Sequence, residues 1–229
     1  MLVLVVDSST PAVTAAVADV GDDGVEIRAV HRDVDPRAHG ELLAPAVQTV
    51  LAQAGARPRD LAAIVAGLGP GPFTGLRVGL VTAASMGQVL GIPTYGVCSL
   101  DAIGVVAPGE AAAPVLVATD ARRREVYWGL YAEGGRVSGP DVDLPSVAAA
   151  RARTAGAGLA TGDGAARYAD EFGRLGFEVL DEPRYPAPEG FVVLSRDRIL
   201  AKAPGDRLTP LYLRRPDAVA SASRKPVLP

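Results

Sequence analysis

At 229 residues the chain has room for one large domain or two small lobes, and its 48% apolar and 21% charged content is that of an ordinary globular protein. Only 5% of residues are aromatic, so Ala, Val and Leu must fill the interior, and a net charge of −3 excludes a chain-wide basic surface for gripping nucleic acid while leaving room for a local patch. The single cysteine, Cys98, rules out an internal disulfide, fits a reducing compartment, and by its place in an apolar run reads as a buried structural residue.

From the N-terminus, residues 2–6 form an apolar, β-branched run, the mark of a strand buried on both faces. Asp7 ends that run too early for a signal peptide. A turn follows at 7–11, then strands at 14–18 and 25–33 around a turn at 19–24. From Ala38 the period changes. Leu42, Leu43, Ala46, Val47, Val50, Leu51 and Ala54 share one face of a helix that Gly55 ends. Pro45 must lie near its first turn or kink it. A buried strand at 62–67 leads into the crowded run 67–75. This run lacks the Lys of a P-loop, and Pro70 and Pro72 remove two backbone donors, so it reads as a stiff connector. Thr74 suits an N-cap for a helix running to about Leu90. A strand is predicted at 94–97, with Ser99 capping a short helix from Leu100. The uncharged stretch 78–100 is interrupted by Gly87, Gln88, Gly91 and Pro93, so it reads as helix, turn and strand, with no membrane span.

A small-residue linker at 107–113 opens the second half. Strands are predicted at 114–119, 125–132 and 158–162, with a turn at 133–135. Helices are predicted at 145–153, 164–175 and 191–203, and residues from about 218 read as a flexible tail. The strand ending at Asp7 has a counterpart ending at Asp120, and each continues through a turn into a second strand. Such self-similarity points to two related lobes, or else to a strand-Asp-turn unit that α/β proteins commonly contain.

Candidate sites are few. Asp7 and Ser8, with Asp120 in the counterpart turn, could hold a phosphate or divalent cation through carboxylate, hydroxyl and amide groups. The same side chains could equally satisfy their own turn. Gly75, Gly79, Ala83 and Gly87 recur every four residues and line one helical ridge. That ridge admits close approach of another element, inside the lobe or from a partner. Its two interior glycines cost about 1 kcal/mol each relative to Ala. Arg122, Arg123 and Arg124 are the densest positive cluster, a nucleotide or RNA contact or a solvated turn. His31 and His39 lack a second ligand or nucleophile at useful spacing and read as surface or capping residues.

Five segments together resemble one family. They are Val-Val-Asp-Ser-Ser-Thr at 5–10, His-Gly-Glu-Leu-Leu-Ala-Pro at 39–45, Gly-Pro-Gly-Pro-Phe-Thr-Gly-Leu-Arg-Val-Gly at 69–79, Gly-Ile-Pro-Thr-Tyr-Gly-Val-Cys-Ser-Leu-Asp at 91–101, and Pro-Leu-Tyr-Leu-Arg-Arg-Pro-Asp at 210–217. The chain resembles the TsaB (YeaZ) family of tRNA threonylcarbamoyladenosine biosynthesis subunits, closely over the first ~105 residues and in pattern through the middle of the second half.

The resemblance implies an α/β fold of two related actin-like lobes, each a mixed sheet with flanking helices, divided as 1–106 and 107–229. It implies a non-catalytic cytoplasmic scaffold for the paralogous transferase TsaD, which threonylcarbamoylates the adenosine next to the anticodon of ANN-decoding tRNAs. The ATPase TsaE joins through the complex, tRNA is contacted indirectly, and the chain alone forms a homodimer. The implied partner surface is the helix pair carrying Leu42, Leu43, Ala46, Val50, Gly75, Val78, Gly79, Thr82, Ala83, Met86 and Gly87. Where TsaD has two metal-binding histidines this chain has Ser99 and Ile103, so neither metal nor cofactor is expected. Three bulky arginines after Asp120 would hinder close approach of a phosphate to the backbone. Two rival readings are a small-molecule kinase or ATPase using Asp7 and Asp120 across an interlobe cleft, and a stand-alone tRNA binder using 122–124, Arg214 and Arg215.

Overall fold

The computed structural model describes residues 1–107 and 113–214. The tail from 218, Arg215 and most of the 107–113 linker lie outside the described residues. The apolar run after Met1 forms β1 (Leu2–Asp7), which pairs antiparallel with β2 (Ala12–Gly21) and parallel with β4 (Leu61–Gly67). β3 (Gly24–Val34) and β5 (Thr94–Val97) complete a sheet of order β3-β2-β1-β4-β5. Helices α1 (His39–Gln53), α2 (Phe73–Leu90) and α3 (Ser99–Gly104) follow β3, β4 and β5.

The second half repeats this order element for element. β6 (Val115–Asp120) pairs antiparallel with β7 (Val126–Ala132) and parallel with β9 (Leu159–Thr161). With β8 (Gly135–Asp143) and β10 (Glu178–Val179) the sheet reads β10-β9-β6-β7-β8. Its helices are α4 (Pro145–Thr154), the pair α5 (Asp163–Arg167) and α6 (Ala169–Arg174), and α7 (Pro188–Leu200). Two mixed sheets of matching topology, with Asp7 and Asp120 ending equivalent central strands, are the two related lobes that the strand-Asp-turn pattern left open.

The last helix of each half packs away from its own sheet. α7 lies on the first sheet, where Phe191, Val192 and Ile199 join Val3, Val5, Ala16 and Val65 in one core cluster. α3 packs on the second, where Leu100 and Ile103 meet Val117, Tyr127 and Tyr131. Full burial of Phe191 contributes about 2 kcal/mol. A division at 106/107 therefore separates residues that pack together: α7 belongs by its contacts to the first sheet.

Several boundaries differ from the sequence reading. β8 was not foreseen, because its outward residues carry no apolar alternation and Gly139-Pro140 interrupts them. The helix expected at 164–175 breaks at Tyr168. Thr74 is the second residue of α2, not its cap, and Ser99 opens α3 after Cys98, its hydroxyl being used elsewhere. Pro45 lies inside α1, exposed and past the first turn. No helix among the described residues is long and apolar enough to cross a membrane.

Candidate functional site

The turn after β1 is bonded into the fold. Asp7 is fully buried, and its carboxylate accepts the hydroxyls of Ser9 at 3.0 Å and Ser99 at 2.8 Å. Burial pushes its carboxyl above the ordinary range, against the lowering effect of those hydroxyls. Gly67 must lack a side chain, since a Cβ there would sit inside the Asp7 carboxylate. Ser8 donates its hydroxyl to the Gly75 carbonyl at 2.8 Å and accepts the Gly79 N–H at 2.9 Å. It thus inserts into the i to i+4 ladder of α2, in the place where a Cβ on Gly79 would stand, 2.6 Å from Oγ.

The small-residue ridge is therefore occupied from within. Gly75 and Gly79 close on the Ser8 turn, Gly87 faces Thr94, and Ala83 is 1% exposed. Leu43, Ala46 and Val50 are likewise in the core of their own lobe. Of the expected partner-surface residues, Leu42, Val78, Thr82 and Met86 are half-buried, and Leu42, Val78 and Met86 border the core shared by α1 and α2 at the α1–α2 seam. Beside that seam Val89 is 86% exposed, a residue the sequence reading did not single out.

His39 corrects an expectation. It is neither surface nor cap but buried, with Nε2 2.8 Å from the Thr10 carbonyl, so that it ties α1 to the β1–β2 turn. His31 pairs with Asp33 at a half-buried position. Ser99, besides bonding Asp7, accepts the Gly69 N–H at 3.2 Å, and Ile103 is buried in the core beneath the second sheet. Cys98 is buried, which pushes its thiol up to about 11 and keeps it protonated.

In the second lobe Asp120 pairs with Arg167 at 3.6 Å through Oδ2, while its buried Oδ1 has no hydrogen-bond partner among the described residues. Its N–H points at Asp163 Oδ1 at 3.4 Å. Asp163, missed by the sequence reading, is 6% exposed and pushed up to about 7, by burial first and then by the neighbouring Asp120 charge. The signal that could have found it is Gly-Asp-Gly at 162–164, directly after a strand. Between the lobes a strap at 180–187 crosses from β10 toward β3. Arg32 donates to the Pro186 carbonyl at 3.1 Å and Thr161 to the Pro183 carbonyl at 2.9 Å.

Arg122, Arg123 and Arg124 have φ of 61°, 51° and 63°, three successive residues in the left-handed region. L-residues pay about 1–2 kcal/mol each there. Arg214 braces the turn, donating to the Ala121 carbonyl at 2.7 Å and pairing with Glu125. Arg122 then lines a hollow of about 340 Å³ between the lobes, together with Arg37, Phe73, Tyr127, Tyr212 and Arg214.

Residues 30–163, more than half the chain, match the family model described as TsaD: tRNA N6-adenosine threonylcarbamoyltransferase. Uncharacterized protein ML0378 of Mycobacterium leprae is 44% identical over 228 residues, covering 99% of this chain and 59% of that protein. The tRNA threonylcarbamoyladenosine biosynthesis protein TsaB of Escherichia coli is 34% identical over 132 residues, 57% of this chain and 55% of that one. The chain thus spans under two thirds of the length of both relatives. The solved structure of YeaZ from Pseudomonas aeruginosa superposes with a TM-score of 0.72 at 27% identity, covering 93% of this chain and 99% of that one.

Proposed function

The chain belongs to the TsaB/YeaZ family, and on that premise we propose that it is an accessory, non-catalytic subunit for the TsaD transferase in threonylcarbamoylation of the adenosine next to the anticodon of tRNA. The observation that carries this reading is the Ser8 insertion: the hydroxyl and carboxylate that a phosphate-transferring turn would offer are bonded to α2, Ser9 and Ser99. A group fully engaged in this way holds a lobe together and leaves no donor for a substrate.

The partner surface is the α1–α2 seam at Leu42, Val78, Thr82 and Met86, extended by Val89. Isolated large apolar side chains at such exposure lose little when covered and gain burial energy on docking. The buried members of the expected surface, from Leu43 to Gly87, support it from beneath and do not touch the partner. TsaE joins through the complex, and the same seam serves the homodimer when the chain is alone. Arg122, placed in the interlobe hollow, is the member of its cluster suited to a nucleotide or RNA contact. The complex works in the cytoplasm.

Reconstitution tests the role. Purified TsaD and TsaE with ATP, threonylcarbamoyl-adenylate and unmodified tRNA are expected to yield modified nucleoside only when this chain is added. The chain alone should yield none; transfer by the chain alone would overturn the reading. Val89→Arg should abolish co-purification with TsaD without loss of fold. A kinase or ATPase using the cleft is favoured by one observation, the buried Asp120 Oδ1 that has no partner among the described residues. Calorimetric ATP titration of the isolated chain, repeated with Asp120→Asn, separates the two: turnover lost in the variant would support the enzyme.

A further inference from the structure

A basic and aromatic strip lies where residues 205–212 run along α2. Phe73 and Tyr212 stack with ring centroids 5.1 Å apart. Arg77 lies 3.8 Å above the Phe73 ring and donates Nε to the Tyr212 hydroxyl at 3.0 Å. Phe73 and Tyr212 are 41% and 38% exposed, so part of this stack faces solvent. A hollow opens on either side of it, and Tyr212 lines both. One is the interlobe hollow with Arg37 and Arg122; the other, about 880 Å³, lies between α2 and residues 205–212 and carries Arg77 and Arg207.

The charges are available. No ion pair among the described residues engages Arg37, Arg122 or Arg207, and all three are exposed. Asp206 is paired with Arg198 at 2.6 Å and Glu125 with Arg214, and Asp35 accepts the backbone N–H of Arg37 at 2.8 Å. In a chain of net charge −3 this leaves a concentrated positive patch around a stacking platform. An acidic peptide would use the guanidiniums and have no use for the platform. A single-stranded nucleic acid uses both, because every base has a face to stack and every nucleotide a phosphate.

We propose that the Phe73–Tyr212 stack, flanked by Arg37 and Arg122 on one side and Arg77 and Arg207 on the other, is a contact surface for single-stranded RNA. One base rests against the exposed rings and the neighbouring phosphates meet the guanidiniums. The proposal rests on the reading that the chain serves a tRNA-modifying complex, and assigns it a direct share in holding that substrate. On α2 the surface uses a different stripe from the partner seam, which it meets at Val78 in the interlobe hollow. At 100° per residue, Arg77, Val81, Ala84 and Gln88 share one stripe of α2, while Val78, Thr82, Ser85 and Val89 lie about a quarter-turn or more away.

The probe is a fluorescein-labelled mixed-sequence RNA 12-mer, followed by anisotropy on the full chain across a salt series. Saturable binding is expected. Arg37→Glu with Arg207→Glu should weaken it at least ten-fold and reduce the log–log salt slope by roughly 1.4, two phosphate contacts on a single strand. Tyr212→Ala should weaken it about ten-fold, within the range for loss of one stacked base, and Tyr212→Phe should restore it. Unchanged affinity in the charge variant would overturn the proposal. So would charge dependence without ring dependence, or tighter binding of a polyglutamate peptide, either of which assigns the strip to an acidic protein. Co-purification with TsaD and the circular dichroism spectrum are controls that these variants should leave intact. Absent RNA binding with tRNA modification still restored sinks this inference alone, whereas intact RNA binding with no restored modification sinks the accessory role.

Discussion

Ser8, Asp7 and Gly67 form a contact set in which each member leaves no space for a larger one. A methyl on Gly67 would have to displace the fully buried Asp7 carboxylate, which is held by Ser9 and Ser99. Gly67→Ala is expected to cost about 3 kcal/mol and lower Tm by roughly 10 °C, measured by calorimetry. Asp163 supplies a pH dependence. Its carboxyl is pushed from an ordinary 3.8 up to about 7 in the fold. Between those values the folded chain binds more protons than the unfolded one, so stability falls as pH rises through that window. Asp163→Asn should raise the urea midpoint at pH 8 above that of the parent and flatten the slope between pH 4 and 7. Asp7, raised for the same reason, leaves a residual slope of the same sign.

Helix α2 shows how one element serves several contacts. Its glycine ridge closes on the β1–β2 turn, one outer stripe faces residues 205–212, and another borders α1. Substitutions along it should separate accordingly. Gly79→Leu must displace Ser8 and break the bridge in the helix ladder, so it should destabilise by about 2–3 kcal/mol and report nothing on partners. Val89→Arg, at 86% exposure, should change stability by less than about 0.5 kcal/mol in chemical denaturation while removing partner binding. Equal destabilisation by the two would show that the outer stripe is buried in solution.

Across the whole molecule, the exchange of α3 and α7 makes the two lobes one body. Asp101 on α3 accepts the Tyr131 hydroxyl at 2.7 Å and pairs with Arg136 at 3.1 Å, clasping the second sheet. Leu211 and Leu213 pack into the same cluster as Leu100 and Ile103 of α3, Leu211 N–H bonds the Leu68 carbonyl, and Arg214 bonds the Ala121 carbonyl at the Arg122 turn. Asp101→Ala leaves a phenol and a guanidinium without their acceptor. It should lower stability by about 2 kcal/mol and speed amide exchange in both α3 and β7, read by mass spectrometry. Faster exchange confined to α3 would show that the clasp does not couple the lobes.

Local chemistry was readable in the sequence: the apolar runs of β1 and β4, the helical face from Leu42 to Leu51, the repeat of strand and aspartate, and the motifs that mark the family. These follow from neighbouring residues, whose periodicity reports burial directly. The rest depended on partners brought together from far apart. Whether the glycine ridge faced inward or outward was settled by Ser8, some seventy residues earlier. Asp163 became a perturbed acid only beside Asp120, His39 became a buried tie only beneath Thr10, and the stack of Phe73 on Tyr212 joined opposite halves of the chain. Edge strand β8 escaped notice because an exposed strand bearing Gly and Pro has no burial pattern to display. Sequence determined the elements and their family; tertiary packing decided which polar groups are already satisfied and which still face solvent, because hydrogen-bond partners and burial are properties of the assembled fold.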